Sequence, residues 1–231
     1  MQKPGLYEPA VQKFDTPAPV AALLEIPAGR IQLIAADRGD TTVEVRPADA
    51  AKGRDLKAVE EIEVAYGDGV LHIKAAEAKN RLLGNSGSVE VTVQLPAGSR
   101  VEAKAGAAEF RGVGRLGDVV FTGGYRSVKV DEAASARLTA HDGDVSVGRL
   151  CGPAEISTQR GDIRIGEALR GTVTLRTQQG DIAVDAAPGV SASLDAHTGY
   201  GRIRNSLKNT GDAGLNIHAT TSHGDITARS L

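Results

Sequence analysis

A glycine followed by an aspartate and a branched aliphatic residue recurs at Gly143-Asp144-Val145, Gly161-Asp162-Ile163, Gly180-Asp181-Ile182 and Gly224-Asp225-Ile226. A fifth copy, Gly201-Arg202-Ile203, has lost the acid. Each phrase lies between two short runs that alternate apolar and polar residues, within Leu138 to Val147, Ile156 to Ile165, Leu175 to Val184, Leu194 to Ile203 and Ile217 to Ala228. Self-similarity at a period near 20 residues is the mark of a stacked repeat, in which one unit cannot bury its own apolar face and must lean on its neighbours. The spacing predicts an all-β, β-solenoid or β-helix-like stack.

The alternation gives each coil a strand, a tight corner and a second strand. Pairs such as Val145/Val147, Ile163/Ile165 and Ile182/Val184 then point one way and form aliphatic ladders from coil to coil. Glycine supplies the positive φ of the corner, and the aspartate accepts a backbone N–H across it. The core has to be thin, because aromatic residues make up only 3% of the 231-residue chain, Trp is absent and Gly reaches 28.

Degraded copies, Ala103 to Arg111 and Val119 to Val130, carry the array back to about residue 100. The sequence therefore divides into a β-rich cap, residues 1–99, and a repeat array, residues 100–231, in one continuous unit. Within the cap, Ala22 to Ile26, Arg30 to Ala35 and Thr41 to Arg46 read as strands joined by Pro27-Ala28-Gly29 and Asp37-Arg38-Gly39-Asp40. Ile62 to Ala65 and Val70 to Lys74 read as a hairpin, Asp55 to Glu60 as a helical turn, Ala76 to Gly87 as an exposed loop, and Ser88 to Leu95 as a strand leading into the array.

These features together resemble a bacterial adhesin-like family, a domain of unknown function built from short Gly-Asp-[Ile/Val] β-repeats and common in actinobacteria. The residues that carry the resemblance are Ala35-Ala36-Asp37-Arg38-Gly39-Asp40-Thr41-Thr42-Val43-Glu44-Val45-Arg46-Pro47, Leu95-Pro96-Ala97-Gly98-Ser99-Arg100, the serial Gly-Asp corners and Gly201-Arg202-Ile203-Arg204-Asn205. The resemblance covers nearly the whole chain and implies a β-solenoid-like fold.

Motifs that bear chemistry are few. Gly112-Val113-Gly114-Arg115-Leu116-Gly117 matches a dinucleotide fingerprint, but a strand follows it where a helix is needed, so it is read as structural. Stacking would bring Asp144, Asp162, Asp181 and Asp225 to about 5 Å from one another, where each like-charge pair costs roughly 0.8 kcal/mol even in water. Backbone N–H groups, with Arg160 and Arg164 nearby, are expected to offset this in preference to calcium, so the row is assigned to the corners and no cofactor or metal is expected. His141, His197 and His223 fall near the corners and are read as exposed. Cys151 stands alone, which excludes an intrachain disulfide, and is read as a small buried apolar residue.

A formal net charge of -2 gives no general attraction for nucleic acid or an anionic membrane. Met1 to Gly5 opens no apolar leader and no apolar run reaches spanning length, so the sequence reads as cytoplasmic, without membrane insertion. The expected function is non-enzymatic binding or scaffolding. Its partner is an unknown protein or a second copy, met at the lateral faces or at the open C-terminal end of the stack, where Leu215 to Leu231 is taken as the uncapped last coil. A carbohydrate-binding or carbohydrate-active solenoid, with Asp142 and Asp144 as a carboxylate pair, is the alternative.

Overall fold

Because inward-facing positions alternate with outward ones along nearly every segment, almost the whole chain is extended. The structure, a computed structural model, describes residues 10–75 and 87–231, so most of the loop expected at Ala76 to Gly87 and the first nine residues lie outside the described residues. The strands in the first part are β1 (Val11–Asp15), β2 (Ala21–Ala36), β3 (Asp40–Pro47), β4 (Ile62–Gly67), β5 (Val70–Ala75) and β6 (Val89–Pro96), with one helix, α1 (Gly53–Glu60), after β3. Then follow β7 (Arg100–Gly123), β8 (Val128–Ala140), β9 (Val145–Leu150), β10 (Ala154–Arg160), β11 (Ile163–Ala168), β12 (Gly171–Gln179) and β13 (Ile182–Ala186). The last four are β14 (Ala192–Tyr200), β15 (Ile203–Ser206), β16 (Leu215–His223) and β17 (Ile226–Ser230).

All 17 strands belong to one sheet that folds at its corners into two facing layers. One layer runs β1, β3, β6, the second half of β2, the middle of β7, the start of β8, then β9, β11, β13, β17 and β15. The other runs β4, β5, the first half of β2, the two ends of β7, the second half of β8, then β10, β12, β16 and β14. From β2 onward the pairing is parallel, at about 4.8 Å per rung. Antiparallel pairs occur only at the first end, where β1 and β4 are the outermost strands.

Pro27-Ala28-Gly29 does not separate two strands as the sequence suggested; β2 runs through it and turns from one layer to the other. The Cβ position of Gly106, in β7, lies 2.6 Å from the Pro27 carbonyl oxygen, so the two corners nest without a side chain between them. The expected hairpin is present as β4 and β5, and Asp68 (φ 51) with Gly69 (φ 76) gives it the double left-handed turn that suits strand twist.

A single aliphatic core fills the space between the layers, with Leu33, Ile73, Leu138, Ile156, Ile163 and Leu175 among its fully buried members. Phe110 on one layer meets Phe121 on the other, ring centroids 4.9 Å apart, and both are fully buried.

The coils do not stack in chain order. β16 lies between β12 and β14, and β17 lies between β13 and β15. The chain leaves β13, skips a rung, lays down the outermost coil as β14 and β15, and returns to insert Leu215 to Leu231 into the gap. Leu215 to Leu231 is therefore not the uncapped end. It is paired on both sides, and the exposed rung is Ala192 to Ser206. The inserted coil is clamped by Arg229, whose guanidinium donates to both carboxylate oxygens of Asp185 at 2.7 and 2.9 Å. This pairing raises the Arg229 pKa further.

Candidate interaction site: the glycine-aspartate corner and the open coil

Besides its main-chain bonds, each Gly-Asp corner is fastened to the next by two side-chain hydrogen bonds that run in spatial order. The Asp144 carboxylate accepts the N–H of Asp162 at 2.9 Å, Asp162 that of Asp181 at 2.7 Å, Asp181 that of Asp225 at 2.7 Å, and Asp225 that of Arg202 at 2.9 Å. A threonine series runs beside it: Thr158 donates to the Gly143 carbonyl, Thr177 to Gly161, Thr221 to Gly180 and Thr198 to Gly224, at 2.9 to 3.4 Å. These short polar side chains satisfy main-chain groups at a corner where the strand ladder is interrupted.

Gly143, Gly161, Gly180, Gly224 and Gly201 fill the remaining position of this corner. At Gly180, φ is 151° and a Cβ would fall 2.0 Å from the Gly161 carbonyl oxygen, closer than any side chain tolerates. The Gly-Asp pair thus serves rung-to-rung contact, with the carboxylate turned along the stack.

Among the five Gly-x-aliphatic corners the acid is missing only at Arg202, the last of them in space. An aspartate here would have no following N–H to accept. Instead the Arg202 guanidinium reaches back to Asp225 at 3.1 Å, and the Arg202 N–H, helped by this guanidinium, lowers the Asp225 pKa below the ordinary 3.8. The Arg160 side chain does not serve the row; it pairs with Asp142 at 2.9 Å. Among the described residues no group of acidic, histidine and cysteine side chains is arranged to hold a metal ion.

The histidines separate. His141 stacks on exposed Tyr125 with centroids 5.6 Å apart, and His223 stacks on exposed Tyr200 at 5.1 Å. Tyr125 lies on the cap side of its histidine and Tyr200 on the open side, so their free faces look in opposite directions along the stack. His197 stands elsewhere, on the outer surface of β14, two residues from Asp195. His218, which the repeat pattern did not single out, is 3.4 Å from Asp195. Gly112 to Gly117 lies within β7, with no helix after it. Cys151 is half-buried rather than buried, its thiol 3.7 Å from Glu132.

The open coil exposes the end of the core. Ile203 is 46% exposed and Tyr200 74%, whereas Ile226, one rung inward from Ile203, is 1% exposed. Leu194 and Ala196 are only partly covered. Ser191 gives its carbonyl to Leu215 on the β16 side, while the Ala192 N–H turns the opposite way to the Lys208 carbonyl. With the two-residue period of a strand, Leu194, Ala196 and Thr198 direct their N–H and C=O groups toward the open edge.

The family described as Toastrack DUF4097 matches residues 22–230. A solved structure titled "putative adhesin", from Bacteroides fragilis, is similar at 17% identity, covering 96% of this chain and 97% of its own, with a TM-score of 0.60. A "putative lipid binding protein" from Parabacteroides distasonis aligns at 14% identity over 96% of this chain and 98% of its own, with a TM-score of 0.49. The first of these likenesses establishes a shared fold. None of the curated proteins matches this chain. Among the described residues no helix is long and apolar enough to cross a membrane.

Proposed function

We propose, from the premise that this chain belongs to the Toastrack family, that it is a non-catalytic binding scaffold which takes a protein partner at coil Ala192–Ser206. One observation carries this reading: among the described residues β14 pairs with β16 alone and β15 with β17 alone, so both layers stop at the same rung with an unpaired strand edge. An exposed sheet edge recruits an extended segment through main-chain hydrogen bonds, and side-chain contacts at alternate positions supply selectivity. Ile203, Leu194 and Tyr200 supply apolar contact beside that edge. The name of the Bacteroides fragilis relative, transferred here, agrees with a binding role.

The carbohydrate reading is the weaker one. A sugar platform needs aromatic faces turned to one side, and those of Tyr125 and Tyr200 are turned apart.

The test is capture of partners by the tagged chain from lysate of its native host, compared with Ile203→Lys and Leu194→Lys, with protein identification by mass spectrometry. The expected result is a reproducible protein lost in both variants and kept in Lys129→Glu, a change on the outer surface of β8. Equal capture by all forms would remove the open coil from the function.

A further inference from the structure

We propose that the partner of the open coil is a second copy of this chain, joined end to end about a two-fold axis at Ala196, with β14 of each copy antiparallel to the other. The proposal rests on the open-coil reading and names its occupant.

The edge is self-complementary. In an antiparallel pair centred on Ala196, residue numbers opposite one another sum to a constant, so Ala196 faces its own copy, Leu194 faces Thr198, and Asp195 faces His197. Leu194, Ala196 and Thr198 are the residues whose main-chain groups point out of the edge, and in this register they become the hydrogen-bonded pairs. The small Ala196 sits on the axis, where a bulky side chain would meet its twin.

The charges agree with the same register. Asp195 and His197 are both exposed on the outer surface of the layer, and residues directly opposite bring their Cβ atoms to about 4.5–5.5 Å. The Asp195 carboxylate, already 3.4 Å from His218 within its own chain, would lie between His218 and the second copy's His197. The pairing occurs twice by symmetry. A one-residue shift in the sum would instead set Asp195 against Ala196 and turn inward residues against outward ones.

The same axis sets the Tyr200 end of β14 in each copy beside the Ala192 end in the other. Closure uses up the free edge on both copies, so assembly stops at two. Arg202 fits this arrangement, because a two-fold partner supplies no further Gly-Asp corner whose N–H an aspartate could accept.

Sedimentation velocity of the full chain across a wide concentration range tests the proposal. The wild type is expected to be a concentration-dependent dimer. Asp195→Lys and His197→Glu should each raise the dimer Kd about 3- to 10-fold, and combining them should restore it, because the exchanged charges again face one another. Ala196→Pro, which removes an outward N–H that β16 does not use, should give a folded monomer. A wild type that stays monomeric throughout, or a double variant no better than the singles, overturns the two-fold pairing. Loss of a captured protein in Ile203→Lys would then leave the open coil standing as a site for a different partner, and unchanged capture would remove both readings.

Discussion

The carboxylate of Asp181 accepts the backbone N–H of Asp225 at 2.7 Å, although Asp225 lies 44 residues further along the chain. The next Gly-Asp corner in sequence order after Asp181 carries Arg202, which is hydrogen-bonded to Asp225 instead. This one bond fixes the spatial order of the last three coils, and several consequences can be measured.

Ending the chain after Gly214 should remove two coils rather than one. Without β16 and β17, the strands β14 and β15 lose every ladder partner they have. Hydrogen exchange is expected to show protection lost from Ala192 to Ser206 and retained up to Ala168. Persisting protection of Leu194 and Ala196 would mean that β14 can close directly onto β12, contrary to the inserted order.

Gly180→Ala should be severe and Gly39→Ala close to neutral. A Cβ at Gly180 meets the Gly161 carbonyl at 2.0 Å in a left-handed backbone, whereas the space around Gly39 is empty. We expect a loss on the order of 3 kcal/mol for the first, measured by urea unfolding, with less than about 0.5 kcal/mol for the second. Equal effects would count against a corner packed carbonyl to α-carbon.

Phe121→Ala should cost about 3–5 kcal/mol and Phe121→Leu much less, since truncation leaves a cavity between the layers that the thin aliphatic core cannot collapse to fill. Both changes take away the ring that faces Phe110, but leucine still occupies most of its volume. The comparison is made by denaturant unfolding, and an Ala variant as stable as the Leu variant would contradict tight packing between the layers.

Acid should loosen the first end of the stack late. The Arg38 guanidinium and the Lys13 ammonium hold the Asp40 pKa down to about 2 from 3.8. A folded-state value below the unfolded one means that the stabilising contribution is present above the unfolded pKa and is lost as pH falls through the folded one. Protection of the β1 amides should therefore persist through pH 3.8 and fall toward pH 2, and Asp40→Asn should flatten that part of the profile. Asp225, also lowered by the Arg202 N–H and guanidinium, should give the same sign at the opposite end.

Much of the architecture was legible in the sequence because its causes are local. A two-residue period, a glycine at each corner and an acid after it are enough to specify a coil, and α1 and the β4–β5 hairpin announced themselves by spacing and turn residues. The order of stacking was not legible, because every coil offers its neighbours almost the same inner surface: Val173, Ile217 and Leu194 occupy one ladder, and any sequence of the three fills the core. A signal was nonetheless present in Arg202. An aspartate is useful only if another rung follows, so the one Gly-x-aliphatic copy of the five without it marks the last rung. The corner at Pro27-Ala28-Gly29 was misread for a related reason, since turn residues also occur where a strand bends between layers without ending. The stacking of His141 and His223 on tyrosines depended on side-chain proximity across coils, which repeat phase alone does not give.

The inserted coil also bears on how the protein is made. During synthesis the coil Ala192 to Ser206 emerges before the rung it pairs with, and its native place in the stack exists only after Leu215 to Leu231 has been translated and has left the ribosome. Until then the nascent chain carries two unmatched strands, an invitation to chaperones and proteases that a stack built in chain order would never extend. Synthesis through the inserted coil is thus built into the fold as a condition of closing it.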